Sequence, residues 1–530
     1  MPSKINFPII QNNPALEICL FRNMRSVDIC FNDQNYNIKD SRDVIMYNRL
    51  NGPRRWRIKL KECEPAVYKY YLKLNESDNR DLMATEYDKL RKISDKLSIV
   101  EAGGEISCFE NIVTNNRVYI LMAGPFNDAK EARYYCKNFD HLNHCNVLRK
   151  LEKCGSGIIE VFDLDNDFYA EISDYINLIP IDYSKYLELR NFEIPLCGES
   201  EKNIRENLFY QGGLQIRVDE NLALAGANQI PLNLYLKGVL ASEIGEHDSL
   251  EFIKTMAVVI RNHIFTNYKR KHFHEPFDFC CSGHCLRYYG IQPDSDLIDE
   301  AIQLTDGLFL QNDKSIYPAQ FSYSCGGHTD IPELNGTFTD NHSAITRFDC
   351  QDPQEFKYKL TTENDAEDWI LNQPEVFCRE TTEASIIAPK LAVNSFRWEI
   401  FYTRAELENV LKEKTGENPG IIYEIIPISR SVSGRIKEIE ILGSLKNVRV
   451  KGELNIRSAL SETLLQSSCF IVNSELGEDG IPLNFKLIGA GNGHGVGLCK
   501  VGAAKLARDN YPMEYILNHY FQESSIQKKY

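Results

Sequence analysis

Four groups of residues have the types and spacing for chemistry. Glu243 closes an apolar run, Leu232, Leu234, Leu236, Val239 and Leu240, within Tyr235-Leu-Lys-Gly-Val-Leu-Ala-Ser-Glu243-Ile. An apolar setting disfavours the charged form of a carboxyl and lifts its pKa toward the range that suits a general acid or base. The alternative is a Glu near a helix start that meets free N–H groups. Cys280-Cys281-Ser-Gly-His284-Cys285 gathers thiol and imidazole, the donors zinc prefers. Cys280, His284 and Cys285 are the candidate ligands, and His272, His274, Cys325 or His328 could complete a set of four. Buried thiols, or a disulfide in an oxidising compartment, are the competing readings. His494 sits among Gly491, Gly493, Gly495 and Gly497, where the backbone can approach a ligand closely. The same spacing mimics a nucleotide-binding G-x-G-x-x-G, but 503–521 reads as helix and no second strand presents the acid that fold needs. The fourth group is Tyr323-Ser324-Cys325, ahead of Gly326-Gly327-His328, which raises a Cys-His nucleophile pair as one idea.

The elements that must position these groups follow from periodicity. Asp248 and Glu251 have capping-box spacing. Behind them Leu250, Ile253, Ala257, Ile260 and Ile264 repeat as one helix face, and Phe252, Met256, Val258 and Val259 make the other faces apolar too. The pattern predicts a helix buried on most sides, with Glu243 at its entrance. Before it, Leu16–Phe21, Val27–Phe31, Val44–Tyr47 and Trp56–Leu60 read as strands of an N-terminal β region, 1–65. Over 66–165 the order is βαββαβ: a strand at Val67–Leu74, a helix from Leu82 to Leu97, strands at 106–113 and 117–123, a helix from Asn127 to Phe139, and a last strand near 145–151 or 157–163. Residues 166–205 carry Asp174, Asp182, Glu188, Glu193, Glu199 and Glu201 and read as an acidic connector. The remainder, 206–530, forms the largest unit. The fold class expected is α+β and multidomain, since 530 residues exceed one compact core.

The totals exclude some functions. A net charge of -15 argues against a nucleic-acid binder, which needs a basic surface, but not against a neutral glycan. No apolar stretch of about 18 residues exists to span a membrane. The N-terminus shows no secretory signal. The sixteen cysteines have no regular spacing and mostly sit beside apolar residues.

From about 205 onward the chain resembles the stage II sporulation protein D family, SpoIID/LytB. The resemblance rests on motifs in order: Tyr235 to Ile244, Lys254-Thr-Met-Ala-Val-Val-Ile-Arg261, His284-Cys285, Phe321-Ser-Tyr-Ser-Cys-Gly-Gly-His-Thr329, Ser431-Val-Ser-Gly-Arg435, Ile456-Arg457-Ser-Ala-Leu460 and Gly491-Asn-Gly-His494-Gly-Val-Gly-Leu498. It implies a peptidoglycan lytic transglycosylase that cuts peptide-free glycan after N-acetylmuramic acid and leaves a 1,6-anhydro sugar. One carboxyl suffices there, because the attacking hydroxyl belongs to the substrate; the resemblance puts it at Glu243, the acid and then the base. It makes Tyr323, Ser324 and His494 the substrate-binding candidates, and it implies no cofactor for the chemistry beside a structural zinc at Cys280, His284 and Cys285. It also implies a cell-envelope or extracellular site; with no signal visible, the cytoplasm stays open. The rival within the family is a non-catalytic amidase enhancer that binds peptidoglycan and an N-acetylmuramoyl-L-alanine amidase, and a zinc-dependent hydrolase is the third reading. Departures stand at 492 (Asn for Trp), 500–501 (Lys500-Val501 for Gln-Trp) and 325 (Cys for Ser). The last makes a catalytic thiol a poor reading. Val118-Tyr-Ile-Leu-Met-Ala-Gly-Pro-Phe-Asn-Asp-Ala-Lys-Glu-Ala132 resembles the SPOR domain, which binds denuded glycan; the alternative is an α+β module that packs on its neighbour.

Overall fold

The computed structural model describes residues 4–31, 36–42, 45–47, 54–109, 111–139, 146–165, 168–193, 205–245, 249–291, 296–312, 315–334, 337–338, 346–352, 359–379 and 395–530. The architecture is α+β and strand-rich. Strand Asn13–Met24 is buried along most of its length, through Ala15, Leu16, Ile18, Cys19, Leu20 and Phe21. Such a continuous apolar run belongs to a strand covered on both faces. It pairs antiparallel with Leu224–Pro231 and parallel with Phe279–Cys280, which sets Cys280 opposite Cys19. The sheet continues through Gly213–Val218, Tyr175–Pro180 and Tyr36–Lys39. A second sheet runs Phe168–Ser173, Ser156–Asp163, Arg54–Glu64, Ser26–Phe31, Tyr186–Glu193, Arg205–Gln211. Strands from 1–65 therefore interleave with strands from 156–231. Over 166–205 the described residues are mostly strand rather than connector. Tyr175-Ile-Asn-Leu-Ile-Pro180 alternates half-buried and buried positions, the period of a strand. Two acids there stand beside cations, Glu171 beside Lys61 and Glu188 beside Arg190; Glu199 and Glu201 lie outside the described residues.

Val67–Ser77, Leu97–Ala102, Val118–Phe126 and Asn146–Lys153 form an antiparallel sheet in the spatial order fourth, first, third, second. Helices Arg80–Leu90 and Ala129–Cys136 cover it, with Leu72, Met83, Leu121, Phe126 and Ala132 in one core. This is the split βαβ order. Two details differ from expectation. The first helix stops at Leu90, and Leu97 opens a strand, because the Ser94 hydroxyl accepts the Lys96 N–H in a turn. The 106–113 segment is two strands, Glu105–Cys108 and Asn111–Asn115, paired with each other and with Lys4–Asn6, outside that sheet.

Helices Leu232–Ile244 and Leu250–Asn267 pack between the sheets and the C-terminal helices. The second is buried on most sides, as the apolar pattern predicts. Its N-cap is Ser249, whose hydroxyl accepts the Phe252 N–H at 3.4 Å; Asp248 lies outside the described residues. Glu251 accepts from Lys254 Nζ and from the Met513 N–H, each at 2.7 Å. Further on, three-stranded sheets Arg397–Thr403/Pro482–Ala490/Phe470–Leu476 and Ile422–Arg430/Ile436–Gly443/Val448–Lys451 enclose a separate core with helix Arg404–Thr415. Phe321–Ser322 pairs parallel with Leu498–Cys499, and helix Lys500–Arg508 follows. Cys136 is disulfide-bonded; the other described cysteines are in no disulfide. Among the described residues no helix is long and apolar enough to cross a membrane.

Candidate functional site

Glu243 lies in the last turn of the Leu232–Ile244 helix, just before Gly245 at φ 62°, not at the start of a helix. The helix-start reading therefore fails: the nearby backbone ends are carbonyls, and they repel a carboxylate. A cation compensates. Lys500 Nζ donates to Glu243 Oε2 at 2.8 Å and to the Glu243 carbonyl at 2.8 Å. The Arg287 N–H donates to Oε1 at 3.1 Å. Both side chains are buried, 8% and 3% exposed. Burial pushes the Glu243 carboxyl upward, but the charges of Lys500 and Arg287 and their hydrogen bonds outweigh it, so its pKa is lowered. The sequence predicts the opposite direction, from the apolar neighbours alone. Burial likewise lowers the Lys500 pKa, with Glu243 pulling the other way. A carboxylate and an ammonium so disposed form a closed ion pair. Lys500 stands where the resemblance expects Gln.

Lys500 Nζ also lies 5.5 Å from the Phe321 ring centre and 5.6 Å from that of Tyr323. The 321–329 loop thus walls the ion pair on one side. Tyr323 is buried. Ser324 is fully buried, and its backbone pairs with Asn492: the Ser324 N–H donates to Asn492 O at 3.0 Å and the return bond is 2.8 Å. Its hydroxyl accepts the Gly326 N–H at 3.4 Å. Ser324 therefore holds the loop, and its hydroxyl is turned inward from any ligand. His328 Nδ1 bonds the Thr329 carbonyl at 2.6 Å, and burial raises the Cys325 thiol pKa, so the pair lacks the geometry of a nucleophile and its base.

The four glycines around His494 have φ of 81, 98, 77 and 74°. Their close approach is to protein, not to a ligand. A Cβ at Gly495 would lie 2.2 Å from the Arg435 guanidinium carbon. His494 Nδ1 accepts the Val496 N–H at 3.0 Å, and the ring also bonds the Phe321 backbone. Burial first, then the charges of Arg435, Arg457 and Lys271, lowers its pKa to about 4, so it is neutral at pH 7. His494 lines a cleft of about 280 Å³ with Gln320, Asp330, Ser431, Arg435 and Glu453. Ser431 Oγ donates to Asp330 Oδ2 at 2.7 Å. The lining mixes charge, amide and hydroxyl with the apolar Ile331, Pro332, Ile436, Leu454 and Val496, and holds no Phe, Tyr or Trp among the described residues. Asp330 and Glu453 carry no local sequence signal as ligand groups; of the cleft's polar residues only Ser431, Arg435 and His494 lie in a motif. Glu243 is not among the cleft's lining residues, so the two candidates face different environments, linked through Lys500 and the Phe321–Tyr323 wall.

The metal candidates converge. Ligand atoms of His272, Cys280, His284 and Cys285 all lie within 4.8 Å of one another. His272 Nε2 is 3.2 Å from Cys285 Sγ, and His284 Nδ1 is 3.5 Å from Cys285 Sγ and 3.7 Å from Cys280 Sγ. Tetrahedral zinc with Zn–S and Zn–N near 2.3 and 2.0 Å requires sulfur–nitrogen separations of about 3.5 Å. The donor set fits that ion. His272, and not His274, Cys325 or His328, is the residue that stands beside these three as a candidate fourth donor. The Arg287 that meets Glu243 follows Cys285 by two residues, so this cluster anchors the segment on which the carboxylate leans.

Residues 220–311 match the family model for the stage II sporulation protein, SpoIID, and residues 360–497 match a domain of unknown function, DUF8618. The first segment contains Glu243 and the metal cluster; the second contains most of the His494 cleft. Neither matched segment reaches 66–165, so the SPOR-like reading gains no support, and a split βαβ order alone does not carry a function. No curated protein matches the chain.

Proposed function

With a SpoIID-type region at 220–311 as the premise, we propose that the protein works on peptidoglycan glycan in the cell envelope, and that it recognises the strand without cutting it at neutral pH. The observation that carries this is the Glu243–Lys500 ion pair. A lytic transglycosylase must first protonate the leaving oxygen, and a carboxyl held ionised by a buried ammonium has no proton to give. Both Glu243 oxygens are engaged, one by Lys500 and one by the Arg287 N–H. The cleft at His494, with polar groups set among apolar ones, suits the hydroxyl and amide groups and the apolar ring faces of a short length of glycan. Its lack of an aromatic platform accords with Asn492 standing where the resemblance expects Trp. This is the amidase-enhancer type of action, with an N-acetylmuramoyl-L-alanine amidase as the implied partner. When bound, zinc at His272, Cys280, His284 and Cys285 supplies a structural clamp, since four protein donors leave no open position.

A second reading, the lytic transglycosylase with Glu243 as sole acid and base, is favoured by the position of Glu243 in the SpoIID segment and its dry surroundings. In that mode the carboxylic acid protonates the glycosidic oxygen and the carboxylate then takes the proton from O6 as it closes on C1. One experiment separates the two. Denuded glycan is incubated at pH 7 with wild type, Glu243→Gln and Lys500→Gln, and fragments ending in anhydro sugar are sought by mass. Recognition predicts binding without fragments for wild type, and fragments only from Lys500→Gln, whose carboxyl is free to rise in pKa. Fragments from wild type that disappear in Glu243→Gln establish the transglycosylase and overturn the recognition reading.

A further inference from the structure

A second set of donors, remote from the glycan cleft in chemistry, is more deeply enclosed. Cys325, Asp349, Cys378 and Cys499 come from separate segments, and their sulfurs and one carboxylate oxygen all lie within 4.8 Å of one another. Every one is buried, at 2, 0, 1 and 0% exposure. Cys325 Sγ is 3.6 Å from Cys378 Sγ and 3.4 Å from Asp349 Oδ2. A tetrahedral ion with metal–sulfur bonds near 2.3 Å and a metal–oxygen bond near 2.1 Å sets these separations at about 3.8 and about 3.6 Å. We propose that Cys325, Cys378, Cys499 and Asp349 form a second, structural metal site for a thiophilic divalent cation, zinc by donor type and geometry.

Buried thiols alone are small hydrophobes, and three features here go beyond that. The first is the carboxylate: Asp349 is fully buried, and the Oδ2 that faces the sulfurs has the Cys325 thiol as its hydrogen-bond partner, while its ion-pair partner His519 stands on the other side. Its other oxygen, Oδ1, accepts from Tyr520 OH at 2.7 Å and lies 3.4 Å from His519 Nε2, an outer shell of the kind that orients a ligating carboxylate. The second is the backbone. The Cys325 N–H donates to Cys499 Sγ at 3.2 Å and the Gly327 N–H donates to Cys325 Sγ at 3.4 Å, so the backbone fixes the direction in which two of the sulfurs point. The third is the space. A Cβ on Gly502 would lie 2.4 Å from Asp349 Oδ2, so only glycine lets the helix carrying Cys499 approach the carboxylate. Three thiolates and a carboxylate around a divalent ion leave two negative charges. The N-terminus of helix Lys500–Arg508, capped by Cys499, offsets part of this. Arg435 and Arg397, which donate to the Cys325 and Gly326 carbonyls at 3.1 and 3.0 Å, offset more. Binding releases the thiol protons to solvent, and all four positions are filled by protein, so the ion stitches rather than reacts. It would tie the Tyr323–His328 loop to the segment that begins with Lys500, and Cys325 is where the resemblance expects Ser.

The test counts zinc and thiols in the full chain, and it reads neither glycan binding nor cleavage. Protein loaded with zinc and dialysed is analysed for metal, and thiols are titrated after denaturation without reductant. The Cys280→Ser/Cys285→Ser protein is expected to keep one zinc, and adding Cys378→Ser is expected to remove it. If the His272 cluster is empty, wild type holds one zinc and the double variant still holds one, so the two sites fail separately. Should the triple variant not fold, cobalt replaces zinc in the double variant, where thiolate-to-cobalt absorption in the near ultraviolet is expected. A folded double variant that retains no zinc, gives no cobalt–thiolate band, or shows Cys325 and Cys378 as a disulfide in the thiol count overturns the proposal.

Discussion

Lys500→Gln tests how far one buried cation controls Glu243. In the wild type the ammonium makes two 2.8 Å contacts with that residue, and the pair is sealed from water. Removing one member of such a pair leaves an uncompensated buried charge and costs about 3–5 kcal/mol. In a cooperative unit of ~200 residues that lowers Tm by roughly 10 °C. The pH dependence has a definite sign. The folded pKa of Glu243 is lowered, so the pair's stabilisation is fully present above the unfolded value of 4.5 and is lost as pH falls through the folded pKa. In Lys500→Gln the strongest lowering charge is gone and burial prevails, which raises the folded pKa; the penalty is then greatest at high pH and fades as pH falls through it. The gap between the two proteins is therefore widest at pH 7–8 and narrows toward pH 4. Thermal unfolding of both proteins across that range, by circular dichroism, measures it. The double variant Glu243→Gln/Lys500→Gln replaces two charges by neutral groups of similar shape and is expected within about 1–2 kcal/mol of wild type. A Lys500→Gln protein as stable as wild type at pH 7, or a gap that does not change with pH, refutes the ion-pair account.

Other perturbations have equally direct readouts. Gly495→Ala places a Cβ against the Arg435 guanidinium at a φ of 77°, so it should cost about 1–3 kcal/mol and weaken glycan retention in a pull-down more than Gly480→Ala, which meets nothing within 4 Å. His494 has a folded pKa near 4 against 6.5, so protonation favours the unfolded chain as pH drops from 6.5 toward 4; His494→Gln should flatten that part of the stability profile. Chelation or Cys280→Ser/Cys285→Ser should lower Tm without changing any residual turnover per folded molecule, whereas the zinc-hydrolase reading requires turnover itself to vanish.

The local sequence determined a good deal. The apolar repeat of Leu250–Ile264 gave a helix buried on most sides, the strand–helix rhythm over 67–153 gave the split βαβ type though not its second strand, Leu97–Ala102, and the compact spacing of Cys280, His284 and Cys285 placed three residues that the fold gathers with His272, because each signal is local in the chain. What the chain could not disclose locally was anything set by partners far away in sequence. Glu243 sits in an apolar run, which predicts a raised pKa; Lys500, 257 residues later, reverses it. His272 joins the metal cluster only because Phe279–Cys280 docks beside Asn13–Met24 and folds the intervening turn back. The acidic stretch 166–205 resembles a linker until its strands Phe168–Ser173, Tyr175–Pro180 and Tyr186–Glu193 are placed in two sheets with strands from the first 65 residues. Burial and periodicity are properties of a segment, so sequence carries them; the charge a side chain meets in a dry interior is a property of what packs against it, and only the tertiary structure decides that.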